Sequence, residues 1–494
     1  MAMSHRSRWV VAVAMALALG GPRALPVAAA VWCVDARNTS GRADGSAVWP
    51  FASIQRAVDA AAAGDEVAVA VGRYREAVRV NGKGVRLLGG FAGAAAYAGE
   101  PGDFSTRSAD PAATWVEGTA ASAVVHFTDA PGSVLDGFRI SGGARGVLVD
   151  GQAWPSVVED VRLARLLVED NGLPTEHGGG INALGRRITV AGCTVRGNVG
   201  ANAAGIYLHH AEDALVEDNL VADNVGHGDH GGGLALNGSG IVRRNVFRGN
   251  RIGESLGYGW GGGVLVVERH AGVVLLQGNL YTGNFAPSAG GAVFVDEGAV
   301  ATLDHEFIAG NRALAAGGGV YADAAWDGRR STLVIQHCTI ADNVADDWPG
   351  WGAGVFVQAS DVTMSNSIVW RNLGREGTDD VTVVDGGTLA TAYSLLTAPH
   401  PGMGNLAVDP LFANPAAGDY HLRSRAGRWD GVRRAWVRDE ATSPAVDAGD
   451  PAANYAAEPQ PNGGRVNLGC YGNTAEASRS VSGARRLGRR LVRP

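Results

Sequence analysis

The stretch NVGHGDHGGGLALNGSG, Asn224 to Gly240, places His227, Asp229 and His230 within four positions, just ahead of three consecutive glycines. Two imidazoles and a carboxylate at that spacing suit proton transfer near neutral pH or contact with a sugar, whereas zinc needs three or four ligands converging tetrahedrally. No Cys or His motif of zinc-binding spacing accompanies them. Three other short segments carry similar chemistry: Glu176 and His177 in GLPTEH, Glu254, Tyr258 and Trp260 in RIGESLGYGW, and Asp346, Asp347, Trp348 and Trp351 in VADDWPGW. Aromatic faces beside carboxylates and histidines are what carbohydrate recognition uses. Asp229 and Glu254 are the expected acid–base pair, with His230 as proton donor or acceptor. His177, His227, Tyr258, Trp260, Asp346, Asp347, Trp348 and Trp351 are the expected sugar contacts. No metal or cofactor is required, although Asp229, Asp346 and Asp347 are candidate ligands for calcium.

These segments occupy the same place in a repeat. An apolar-x-x-Asn element recurs at Asn171, Asn198, Asn224, Asn250, Asn284, Asn311, Asn343 and Asn372, roughly every 26 to 34 residues. After each variable segment a glycine run opens a short apolar strand, as in GGGINAL, GGGLALN, GGGVLVV, GGAVFVD and GGGVYAD. Apolar runs of strand length, rich in Val, Ile and Leu, with no amphipathic helix inside a unit, exclude helical repeats. Stacked coils of three short strands, about 4.8 Å apart and paired in parallel, remain. The predicted fold is all-β: a single right-handed parallel β-helix, with asparagines stacked at one corner and glycines at another, where positive φ or close backbone stacking excludes a Cβ. Adjacent coils would then bring Asp229 and Glu254 within one or two layer spacings.

The ends of such a solenoid expose pairing edges. Ser53 to Asp65, SIQRAVDAAAAGD, is the one clear short helix, with Ser53 as N-cap and Gly64 as C-terminal cap, and is expected to plug the N-terminal end. The chain divides into a signal peptide (1–30), an N-terminal cap with the first coils (31–115), the repeats (116–400), a closing segment (401–475) and a basic, disordered tail (476–494). Arg6 and Arg8 ahead of the apolar run Trp9 to Leu19, and the small residues up to Ala30, give the layout of a secretory signal. No stretch reaches the ~20 apolar residues of a membrane-spanning helix. The expected product is a secreted or cell-surface monomer.

With 73 glycines, a single lysine (Lys83) and a net charge of −7, the chain offers no basic face for nucleic acid. Cys193 and Cys338 share one repeat position several coils apart and read as buried, unpaired thiols. Cys33 and Cys470 lie in opposite terminal regions, and no pairing is assigned to them.

The opening WCVDARNTSGRADGSAVWPFASIQRAVDAAAAGDEVAVAVGRY resembles the start of bacterial secreted right-handed β-helix proteins of the pectin-lyase-like fold. Asp409 to Phe412, Asp419 to Leu422 and Ser443 to Gly449 resemble the C-terminal region of cell-surface members. The glycine-opened strands with their asparagine turns are also similar to the repeats of polymorphic outer-membrane proteins, which are adhesins. The resemblance implies a surface protein that binds or processes polysaccharide, by lyase or hydrolase chemistry, or an adhesin or structural solenoid without activity. Gly226-His227-Gly228 matches one element of polygalacturonase-like hydrolases, but no Arg-x-Lys exists and Asp346-Asp347 follows that element instead of preceding it. A lyase base would have to be arginine, with Arg251, Arg269 and Arg312 nearest the decorated loops.

Overall fold

The computed structural model describes residues 29–93, 99–152, 156–228, 230–253, 258–267, 272–346 and 352–480. Residues 1–28 of the expected signal peptide and most of the tail lie outside these residues. What is described is a right-handed parallel β-helix whose strands form stacks in sheets of 24, 12 and 8 strands.

One coil shows the plan. Val264–Val267, the glycine-opened strand, is followed by Val273–Gln277, Leu280–Thr282 and Phe285–Ala286. In the next coil Val264 faces Val293, Leu280 faces Phe307 and Phe285 faces Arg312, all in parallel register. In this coil the first long strand is interrupted, and from Val199 on a two-residue strand occupies the first positions after each ladder asparagine. Side chains alternate inward and outward. The inward column Ile181, Ile206, Leu234, Val264, Val293, Val320 and Val355 is fully buried, and burial of such aliphatic stacks is the main stabilising term.

The predicted asparagine corner is a continuous ladder. Each Asn Nδ2 donates to the Oδ1 of the asparagine one coil on, at 2.9–3.1 Å from Asn171 to Asn372, and the last donates to Asp380 Oδ1 at 3.0 Å. The glycine corner is equally constrained. Gly261 has φ +71°, and a Cβ on Gly263 would lie 2.6 Å from the carbonyl oxygen of Ala292. A second ladder, absent from the sequence reading, runs through Asn219, Asn245 and Asn279 and ends on the buried Glu306. Cys193 and Cys338 stand at this same corner, and all four cysteines are buried and unpaired.

The terminal helix, Ile54–Ala60, buries Ile54, Ala57 and Val58 against the first coils. Ser53 is its N-cap, and the Glu76 carboxylate accepts the N–H groups of Ile54 and Gln55 at 2.8 and 3.0 Å. Gly64 is not the C-terminal cap. The chain leaves the helix at Ala61 in extended conformation, and Lys83 Nζ donates to the carbonyls of Val58 and Ala61 at 2.7 and 2.6 Å instead.

Coils continue beyond the last asparagine to Leu396. Leu406 then bridges to Leu395 over the final coil, but the rest of the closing segment packs sideways. Phe412, Tyr420, Leu422 and Leu468 cover the outward residues Ala309, Ala341, Ile368 and Leu395 of the 12-stranded sheet. Ala477, Ser478 and Ser480 are buried with it, so residues 476–480 belong to this buttress rather than to the tail. The faces of the glycine-opened strands and of the two-residue strands stay uncovered by it.

Candidate active site

On the outward side of the glycine-opened strands, parallel register lines up Tyr207, Ala235, Leu265, Phe294, Tyr321 and Phe356 on successive coils. The rings of Phe294 and Tyr321, and of Tyr321 and Phe356, lie 5.0 Å apart. Phe294, Tyr321 and Phe356 are buried although they point away from the solenoid core. The variable loops cover them: Trp260, Ala289 and Ala316 bridge in parallel beside the strands and pack against the same cluster. The loop set and the strand face therefore share one floor.

Two residues further along each strand, Val267 faces Asp296, and Asp323 occupies the equivalent position one coil on. Both carboxyls are half-buried. Burial pushes Asp296 up to about 6, with Asp323 and Glu297 adding to the shift and His230 opposing it. Burial, with Asp385, raises Asp323 as well. Each accepts the N–H of its following residue, Glu297 at 2.6 Å and Ala324 at 2.7 Å, which fixes the first carboxyl oxygen and leaves the second available. The Tyr321 hydroxyl donates to Gln358 in the neighbouring coil. A carboxyl that keeps its proton up to about pH 6, one coil from another, can act as acid while its partner acts as base or nucleophile.

Of the residues expected from sequence, His230, Tyr258 and Trp260 border this floor. The His230 and Tyr258 rings each lie 5.8 Å from that of Trp260. His177 stands higher on the same face, 6.1 Å from Tyr207, with its carbonyl accepting Arg145 Nε at 3.0 Å. His209 beside it is pushed down to about 3 by burial and by His177, His210 and Arg145. His227 does not join them. It lines a separate cleft with Arg251, Phe285 and Arg312, so the four-residue span that joined it to His230 in the sequence divides between two faces. Asp346 pairs with Arg312, which occupies the carboxylate that calcium would need. Asp229, Glu254, Asp347, Trp348, Trp351 and Arg269 lie outside the described residues. Among the described residues no group of three or more His, Cys, Asp or Glu could hold a metal.

Sequence reasoning missed Asp296 and Asp323. Their signal was present in GGAVFVD and GGGVYAD, where an aspartate closes the strand at the same repeat position in successive units. The turn that follows Asp323 also carries Trp326, which is 95% exposed.

Residues 123–305 match the family model for the right-handed beta helix region, and residues 392–449 match one described as disaggregatase related. Among solved structures, the chain is similar to pectate lyase Pel9A, at 13% identity and a TM-score of 0.44 over 89% of this chain and 95% of that one. It is also similar to the catalytic domain of a GH87 alpha-1,3-glucanase, at 10% identity and a TM-score of 0.38 over 78% and 67% of the two chains. A third likeness is to the GH136 lacto-N-biosidase from Eubacterium ramulus, at 11% and 0.32 over 77% and 68%. No curated protein matches the chain. Among the described residues no helix is long and apolar enough to cross a membrane.

Proposed function

We propose that this chain is an exported or cell-surface β-helix protein that binds polysaccharide along the face of its glycine-opened strands and hydrolyses it at Asp296 and Asp323. The observation that carries this reading is the half-buried carboxyl pair at one position of two successive coils, beside an aromatic floor. Asp296, the carboxyl that keeps its proton to about 6, donates to the glycosidic oxygen. Asp323 is the nucleophile: it attacks the anomeric carbon as the leaving sugar takes the proton, and water then releases the glycosyl group with Asp296 as base. The coil spacing of about 4.8 Å is close to the ~5 to 5.5 Å between the carboxyls of retaining glycosidases. Tyr258 and Trp326 supply exposed rings for sugar faces.

Lyase chemistry is disfavoured by the placement of the described cations: Arg329 and Arg330, in the turn after Asp323, are paired with Asp327 and Asp361. Lys83, the single lysine, is bonded to the carbonyls at the end of the terminal helix, and Arg251 and Arg312 line the other cleft. A binding solenoid without catalysis is the second reading, favoured by the turn-closing hydrogen bonds that Asp296 and Asp323 accept.

A polysaccharide panel scored for new reducing ends and for the near-ultraviolet absorbance of unsaturated products tests the proposal. Reducing ends without that absorbance, lost in Asp296→Asn and Asp323→Asn, are expected. Unsaturated products, or hydrolysis untouched by both substitutions, would overturn it, and binding without turnover would leave the second reading.

A further inference from the structure

The two-residue strands present a second, chemically different face. Their inward residues Ile252, Ala286 and Ala313 are fully buried, so the backbone beneath the outward residues is fixed by the core. Parallel register then stacks Arg251, Phe285 and Arg312 on three successive coils. The Phe285 ring lies between two guanidinium-bearing layers, with Arg312 5.6 Å from its centroid, and His227 borders the same cleft of about 540 Å³. Arg312 is paired with Asp346, whereas no described residue pairs with the Arg251 side chain. The cleft thus sets one guanidinium without a described partner beside an aromatic ring.

We infer that this cleft binds an acidic polysaccharide, with a sugar carboxylate or sulfate on Arg251 and a sugar ring over Phe285, while Arg312 stays paired with Asp346. Three features select that ligand. A guanidinium presents a planar fork that matches a carboxylate or sulfate in two hydrogen bonds, which a lysine cannot do. Phe285 gives the C–H face of a pyranose an apolar surface beside that charge. Phe285 stands one coil from Arg251, about 4.8 Å along the axis, so one chain running parallel to the solenoid can engage both. Nucleic acid fits poorly, because one ring and two arginines offer neither a stacking series nor a phosphate track. The cleft lies on a different face from Asp296 and Asp323, so the inference stands apart from the proposed hydrolysis. A polymer held here would be retained while the other face acts on it or on a neighbouring chain.

Affinity electrophoresis of the full chain in gels containing polygalacturonate, a sulfated dextran or neutral dextran tests this, with Asp296→Asn as the background so that turnover does not erode the matrix. Retardation by both acidic polymers, absent with neutral dextran and relieved by salt, is expected, because exposed charge pairs are screened within about 10 Å at 0.1 M ionic strength. Arg251→Ala should weaken it roughly tenfold or more, the effect of losing a charge-assisted pair, with an unchanged melting temperature because that side chain bonds to no described residue. Phe285→Ala should weaken retardation by both acidic polymers. Equal retardation by neutral dextran, full retention in Arg251→Ala, no retardation by either acidic polymer, or capture by anionic lipid vesicles in place of the polysaccharides would each overturn the assignment.

Discussion

Asp323 stands one coil on from Asp296 because its N–H donates to the carbonyl oxygen of Val295 at 2.9 Å, within the parallel pairing of Val293–Asp296 with Val320–Ala322. The two carboxyls are therefore set by backbone register, not by loop conformation. If Asp296 is the acid, activity requires its protonated form and falls as pH rises through about 6. We expect kcat/KM to drop on that alkaline side and Asp296→Asn to lower it by roughly 10²- to 10⁴-fold. A pH–rate profile checks this; an alkaline limb that stays in place in the variant would separate Asp296 from the titration.

Trp326 is the most direct test of sugar stacking. At 95% exposure it contributes no packing to the fold. Trp326→Ala is expected to raise KM about tenfold, the loss of roughly 1 to 1.5 kcal/mol of ring contact, and to leave the melting curve unchanged. A stability loss without a KM change would assign the indole to structure.

The asparagine ladder makes a prediction about stability. Asn284 Oδ1 accepts both the N–H and the Nδ2 of Asn250, at 3.0 and 3.1 Å, in a buried corner. Asn284→Ala strands those donors, and each buried unsatisfied group costs about 1 to 3 kcal/mol. Urea unfolding should show a loss of about 2 to 4 kcal/mol. An equal loss is not expected for Asn414→Ala, an exposed asparagine outside the ladder.

Glu306 ends the second ladder, where Asn279 donates to both of its oxygens at 3.1 to 3.2 Å. Burial pushes this carboxyl from 4.5 up to about 8. A folded value above the unfolded one means that the protonated acid fits the fold: its contribution is complete below 4.5 and is lost as pH rises through about 8. Glu306→Gln keeps the acceptor and removes the ionisation. The variant should match the parent in melting temperature near pH 4, exceed it increasingly between pH 4.5 and about 8, and keep that lead at pH 9. A parent that is no less stable than the variant at pH 9 would contradict the buried, neutral acid.

The fold was legible because the period of the chain is written in its obligatory residues. An asparagine that bonds along the axis and glycines such as Gly263, which has no room for a Cβ, recur with every coil whatever the loops between them do. The site was less legible. Proximity in sequence joined His227 to His230, yet one residue follows the outward side of a two-residue strand and the other bridges to Trp260. Polar loops drew the eye, whereas Asp296 and Asp323 sit at the quiet ends of apolar strands and gain their character from burial, which a string of letters does not display. The closing segment was read as a stopper for the same reason: nothing in Phe412, Tyr420 or Leu468 indicates a docking surface on the flank of the sheet.

The central claim is that sugar is held and cleaved over Asp296 and Asp323. A crystal structure of the Asp296→Asn variant soaked with a short oligosaccharide of the polymer it degrades addresses this directly. The account predicts sugar rings along the glycine-opened face, with an anomeric carbon within reach of the Asp323 carboxylate and the glycosidic oxygen within hydrogen-bond distance of residue 296. Oligosaccharide ordered only on another face, with the Asp296–Asp323 floor bare, would contradict it.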